Sequence, residues 1–127
     1  MRHLLRDYLL SRGFVVLEAS NGQQALYTAL TARHLIHLLL TDIEMPGMNG
    51  FELANQMKML KPRIKTIFMS ANLSDHEWKS RAAQEGSHFL QKPFSLQELD
   101  SLIAKVLAEQ KFRTGRPVTV DGEGSVS

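Results

Sequence analysis

Leu38-Leu39-Leu40-Thr41-Asp42-Ile43-Glu44-Met45-Pro46-Gly47-Met48-Asn49-Gly50 is the stretch on which the fold turns, because its chemistry changes at Asp42. From Ile36 to Thr41 the chain is short and apolar, interrupted only by His37, which is the pattern of a buried strand ending at Asp42. From Glu44 to Gly50, one proline and two glycines punctuate the chain, which is loop chemistry. Asp42 therefore closes a buried strand. A lone aspartate in such a place is ordinarily a turn or helix-cap residue, so its neighbours must decide what it does.

Upstream, Leu4, Leu5, Tyr8 and Leu9 recur at helical spacing, and Gly13 supplies a left-handed stop. Phe14 to Ala19 is β-branched and aromatic and reads as a strand running into a Ser20-Asn21-Gly22 turn or cap, with a helix from about Gln23 to Arg33. Downstream, Phe51, Leu53, Ala54, Met57 and Leu60 predict a helix that Lys61-Pro62 ends. Ile64 to Met69 is the next strand. Ser74 followed by Glu77 forms a capping-box pattern, which predicts a helix to about Glu85 stopped at Gly86. His88 to Gln91 is a short strand, and Ser95 with Glu98 opens a last helix carrying Leu96, Leu99, Leu102, Ile103, Val106 and Leu107. From Arg113 onward Gly, Pro, Thr and Ser dominate, so residues 113–127 are expected to be a disordered tail.

Short apolar strands alternating with amphipathic helices indicate an α/β protein with a doubly wound parallel sheet covered on both faces. Ligand chemistry in such sheets collects at the carboxyl ends of the strands. Asp42, Ser70 and Lys92 each lie at or just past one, so three polar groups are expected on one edge.

Composition bounds the alternatives. At 127 residues, 43% hydrophobic and 22% charged, the chain suits one soluble domain. A net charge of +2 from scattered basic residues argues against nucleic acid as a direct partner. No apolar run reaches membrane-spanning length, and the N-terminus lacks the pattern of a secretory signal. The absence of cysteine excludes thiolate chemistry, and the whole fits a cytoplasmic location. His34 and His37 read as structural or exposed, and Met45, Met48, Met57, Met59 and Met69 as loop anchors and core filler.

Taken together, the Leu39 to Gly50 block, Met69-Ser70-Ala71 and Lys92-Pro93-Phe94 resemble the response-regulator receiver family, over roughly residues 1 to 110. An aspartate with proline four residues on and glycine eight on is specific, and the ordered Ser and Lys-Pro blocks reinforce it. The resemblance implies a flavodoxin-like receiver domain over residues 1–112. It makes Asp42 the phosphoacceptor for a histidine kinase or phosphotransfer protein, with Ser70 and Lys92 stabilising the phosphoryl group. Ser70 and Phe89 would be the switch; as phenylalanine, Phe89 can signal only sterically. Glu44 and Asn72 fall on positions that tune phosphoryl lifetime. The readout surface would be formed by the Ser74 to Glu85 helix, the strand at Phe89 and the last helix.

The family also implies Mg2+, held by Asp42, the Glu44 backbone carbonyl and an acidic pair that ends a first strand. By spacing, that strand falls ahead of Met1, and Asp7 is no substitute because it lies mid-helix. Magnesium seeks six oxygens and needs carboxylates to hold it, so binding is expected to be weak. A central strand contributes up to ~10 ladder bonds at ~1 kcal/mol net each. Its strand neighbours should therefore close on each other or be satisfied by another chain, through homodimerisation or strand exchange.

Two functions from different classes compete with the phosphoacceptor. A phosphorylation-independent receiver-like interaction module would keep the fold without the switch. A haloacid-dehalogenase-type enzyme is disfavoured, because its second aspartate should stand where Glu44 does. The domain itself is expected not to be an enzyme.

Overall fold

A computed structural model gives the fold and describes residues 2–32, 35–71 and 87–109. Its elements in chain order are α1 (Arg2–Ser11), α2 (Gly22–Thr31), β1 (Leu38–Asp42), α3 (Gly50–Leu60), β2 (Lys65–Ser70), β3 (Ser87–Gln91) and α4 (Leu96–Glu109). The strands form one parallel sheet in the order β1-β2-β3. Leu38 pairs with Lys65 and Asp42 with Met69, while Thr66 pairs with Ser87 and Ser70 with Gln91.

Each helix boundary has a local cause. Gly13 at φ +88° takes the left-handed conformation that ends α1, with the Gly13 N–H donating to Leu10. The Asn21 side chain accepts from the Gln24 N–H to cap α2. At α4, the Ser95 hydroxyl accepts from the Glu98 N–H while the Glu98 carboxylate accepts from the Ser95 N–H, both at 3.0 Å. This is the capping box expected there.

Strand alternation then divides the core. Side chains one residue apart point to opposite faces, so Leu38 and Leu40 enter one cluster and Leu39 enters the other. On the first face, Leu5 and Leu9 of α1 and Leu99, Ile103 and Val106 of α4 close over Leu40, Ile67, Met69 and Leu90. On the second, Ala25 and Ala29 of α2 and Leu53 and Met57 of α3 cover Leu39. Every residue of β1 is buried, as befits a parallel strand with helices on both sides.

One expected element is corrected. Phe14 to Ala19 carries no strand: these residues lie outside the three-stranded sheet. Their apolar pattern is still used, because Phe14 and Val16 pack on the α1–α4 side and Ala19 is buried on the α2–α3 side. A strand also needs a hydrogen-bonding neighbour, and none of the described strands pairs with this segment. The helix expected over Ser74 to Glu85, Asn72, His34 and the 113–127 tail lie outside the described residues. Of the two histidines, His37 is buried at the entry to β1.

Candidate functional site at the carboxyl edge of the sheet

Parallel register brings the polar residues together. The ladder continues one step past each strand, with the Ile43 N–H donating to Met69 at 2.9 Å and the Lys92 N–H donating to Ser70 at 2.8 Å. Asp42, Ser70 and Lys92 therefore stand side by side at the same edge. Asp42 is 8% exposed and Ser70 1%. The Lys92 ammonium is ion-paired with Asp42 Oδ1. The Ser70 hydroxyl donates to the Glu44 carboxylate, at 3.3 Å from each oxygen.

The loop after Asp42 is held by its own sequence. Gly47 has φ +75°, which side-chain-bearing residues rarely adopt. Gly50 is needed for space: a Cβ there would sit 2.2 Å from the Asp42 carbonyl oxygen. Its N–H donates to the Ile43 carbonyl at 2.8 Å, pinning the start of α3 beneath the aspartate. Asn49 and Glu52 form a reciprocal capping box, each side chain accepting the other's backbone N–H at 2.9 Å. Thr41, fully buried, donates its hydroxyl to the Asp42 carbonyl at 3.0 Å. Met48 packs against Gly22, tying the loop to the start of α2.

Phe89 lies one strand over. Its ring stacks on Phe68, with centroids 5.3 Å apart, and Phe68 in turn meets Phe51 of α3 at 4.9 Å. This aromatic row links β3 to the helix that begins under Asp42.

Sequence reasoning named Asp42, Ser70, Lys92 and Glu44, and the structure brings these four together. It missed Thr41, the Gly50 approach and the Asn49 cap. Asn49 followed three residues later by Glu52 was a readable signal for the last. The Thr41 and Gly50 contacts depend on tertiary geometry that no spacing rule encodes.

The donor set does not suit a magnesium ion. Among the described residues no group of three or more His, Asp or Glu side chains is placed to hold a metal. Asp42 is already paired with an ammonium and the Glu44 carboxylate with Ser70. Two carboxylates so engaged fall short of the near-octahedral oxygen shell that magnesium demands.

The model of the response regulator receiver domain family matches residues 1–104. The chain belongs to the response-regulator receiver family. Sporulation initiation phosphotransferase F of Bacillus subtilis is 32% identical over 108 residues, covering 84% of this chain and 85% of that protein. The DNA-binding transcriptional regulator NtrC of Salmonella typhimurium is 32% identical over 124 residues, 96% of this chain but 26% of that protein. The sensor kinase CckA of Brucella abortus is 33% identical, and this receiver spans 80% of its own length but 11% of the kinase. The chain thus spans only 26% and 11% of the length of these last two, larger relatives.

Among solved structures, the chemotaxis protein CheY4 of Vibrio cholerae superposes with a TM-score of 0.73 at 25% identity, covering 83% of this chain and 88% of that one. A CheY-like receiver of Methanospirillum hungatei gives 0.76 at 24%, covering 86% of each, a likeness of fold. The fold is accordingly the parallel sheet expected from the strand-helix alternation, of the flavodoxin-like doubly wound kind that the family resemblance implied. As a receiver, the domain is a regulatory part of two-component signalling, a class that works with histidine kinases and phosphotransfer proteins. No described helix is long and apolar enough to cross a membrane.

Proposed function

We propose that Asp42 is the phosphoacceptor, taking a phosphoryl group from a histidine kinase or phosphotransfer protein. The observation that carries this is the Asp42–Lys92 ion pair at the carboxyl edge of the sheet, with the Ser70 hydroxyl beside it. A carboxylate is ionised near neutral pH and needs no base to act as nucleophile. An Asp42 oxygen attacks phosphorus, an acyl phosphate P–O bond forms, and the P–N bond to the donor imidazole breaks, its electron pair leaving with the ring. Lys92 offsets the negative charge spread over the phosphoryl oxygens, and Ser70 offers them a hydroxyl hydrogen bond.

Switching follows from the neighbours of these groups. Drawing Ser70 toward the phosphoryl group pulls on the end of β2, whose Phe68 carries the ring on which Phe89 stacks. The signal at Phe89 is steric, a change in ring packing beside α4. In this reading Asn72 and Glu44 tune phosphoryl lifetime, the receiver occupies residues 1–112, and the protein is cytoplasmic. Magnesium, the family's ion, binds weakly to this chain.

The test is incubation with a small-molecule phosphodonor, with and without magnesium, read by intact mass. One phosphoryl adduct is expected on the native chain and none on Asp42→Asn. An adduct of equal yield on Asp42→Asn would remove Asp42 from the role. The metal-poor donor set favours a second reading, a phosphorylation-independent interaction module. No adduct under any condition, from a folded protein, would establish that reading in place of the first.

A further inference from the structure

Ser70 has one hydroxyl proton, and in this structure it is spent on Glu44. The hydroxyl is buried at the end of β2, held by a strand whose carbonyl accepts from Lys92, so its reach is fixed by the sheet. Glu44 is exposed on the loop that follows Asp42, so no packing holds its carboxylate in place once the hydrogen bond to Ser70 is lost. Its two oxygens stand equidistant from Ser70 Oγ at 3.3 Å, so the carboxylate straddles the hydroxyl. The resting site therefore contains two matched pairs, Lys92 with Asp42 and Ser70 with Glu44.

We propose that Glu44 is a positioning residue that sequesters the Ser70 hydroxyl until a phosphoryl group on Asp42 displaces it. This rests on reading Asp42 as the phosphoacceptor and assigns a mechanism to Glu44. A phosphoryl group brings a charge of roughly −1.5 to −2 and several strong acceptor oxygens. Like charge drives the exposed Glu44 carboxylate outward, while the buried Ser70 transfers its single donor to the new acceptor. The exchange makes phosphorylation and the release of Glu44 one event. It also means that Glu44 opposes the forward reaction, first by holding Ser70 and second by its own negative charge.

Two measurements separate this proposal from the reading beneath it. The first uses unphosphorylated protein: three-bond couplings report the side-chain rotamer of Ser70 by NMR. A single rotamer is expected in the native chain, averaging in Glu44→Ala, and return to one rotamer in Glu44→Gln, whose amide oxygen still accepts. Unchanged couplings in Glu44→Ala would overturn the proposal whatever the phosphorylation chemistry. The second is the rate of adduct formation from the small-molecule phosphodonor. Glu44→Ala should label several-fold faster than the native chain, and most of that gain should be lost in a Ser70→Ala background, leaving only the part due to the Glu44 charge. A gain undiminished without Ser70 would show that Glu44 acts by charge alone and would overturn the proposal. If no variant is labelled, the phosphoacceptor reading falls, and the rotamer arm still decides the Ser70–Glu44 contact.

Discussion

Asp42 is held from three directions: its carboxylate by Lys92, its carbonyl by the Thr41 hydroxyl, and its main chain by the start of α3 at Gly50. The Lys92 side chain is 29% exposed and that of Asp42 11%, so the pair is largely dry. Removing one partner leaves the other buried without its counter-charge, and removing both does not. Lys92→Met should therefore destabilise the native protein more than it destabilises Asp42→Asn. A double-mutant cycle in urea should return a coupling of ~0.5–3 kcal/mol, the range for residues in direct contact. Additive effects would mean that the ion pair is absent in solution. Gly50 makes a sharper demand, because an added Cβ meets backbone and not a flexible side chain. Gly50→Ala should cost ~1–3 kcal/mol through forced displacement. Its Asp42 amide resonance should move further than in Gly47→Ala, which strains only its own φ.

At the scale of elements, caps and seams set the helices in place. Asn49→Ala removes the acceptor for the Glu52 N–H and should cost about 1 kcal/mol, within the 0.5–2 range for caps. Ser95→Ala should cost a similar amount at α4, and thermal melts of the two variants check the pair. The seam between α1 and α4 carries Arg12–Asp100 at 3.3 Å and Tyr8, whose phenol has its pKa raised above the usual 10. Loss of hydration is the larger cause, and donation to Asp100 adds to it. A raised acid favours its protonated form in the folded state. Its contribution to stability is thus whole below the unfolded value of ~10 and is lost as pH climbs through the higher folded one. In a Tyr27→Phe background, ultraviolet titration of Tyr8 should show Asp100→Asn lowering the value without returning it to normal. A full return would make Asp100, and not burial, the main cause.

The same scale shows what could be read in advance. Helix ends were legible at Gly13 and Ser95 because capping is local chemistry, and β1 was legible because a buried parallel strand is a short apolar run. Phe14 to Ala19 was not, since strand character depends on a partner as well as on the segment, and its apolar residues serve the two cores without a ladder. The site was legible at Asp42, Ser70 and Lys92 because parallel register converts strand-end position into proximity. The Ser70–Glu44 bond and the Phe51–Phe68–Phe89 row were not, because side-chain reach across strands leaves no periodic trace in the sequence.

Over the whole molecule, one thin sheet is shared by two apolar layers, and β1 contributes to both. Leu40 faces the α1–α4 layer and Leu39 the α2–α3 layer, each fully buried. Neither layer can lose its hold on β1 without exposing the opposite face of the same strand, so the two should melt together. Truncating a buried leucine to alanine typically costs ~2–5 kcal/mol through lost burial and the cavity left behind. Against a total of ~5–15 kcal/mol for a domain, either change is severe. Leu39→Ala and Leu40→Ala should each move a single cooperative urea transition to lower denaturant, with the slope unchanged. Amide resonances of α2 and of α4 should fall along the same curve in both variants. If Leu39→Ala released α2 while α4 stayed folded, the layers would be separable units, and a signal entering at Asp42 would have no shared strand through which to reach both faces.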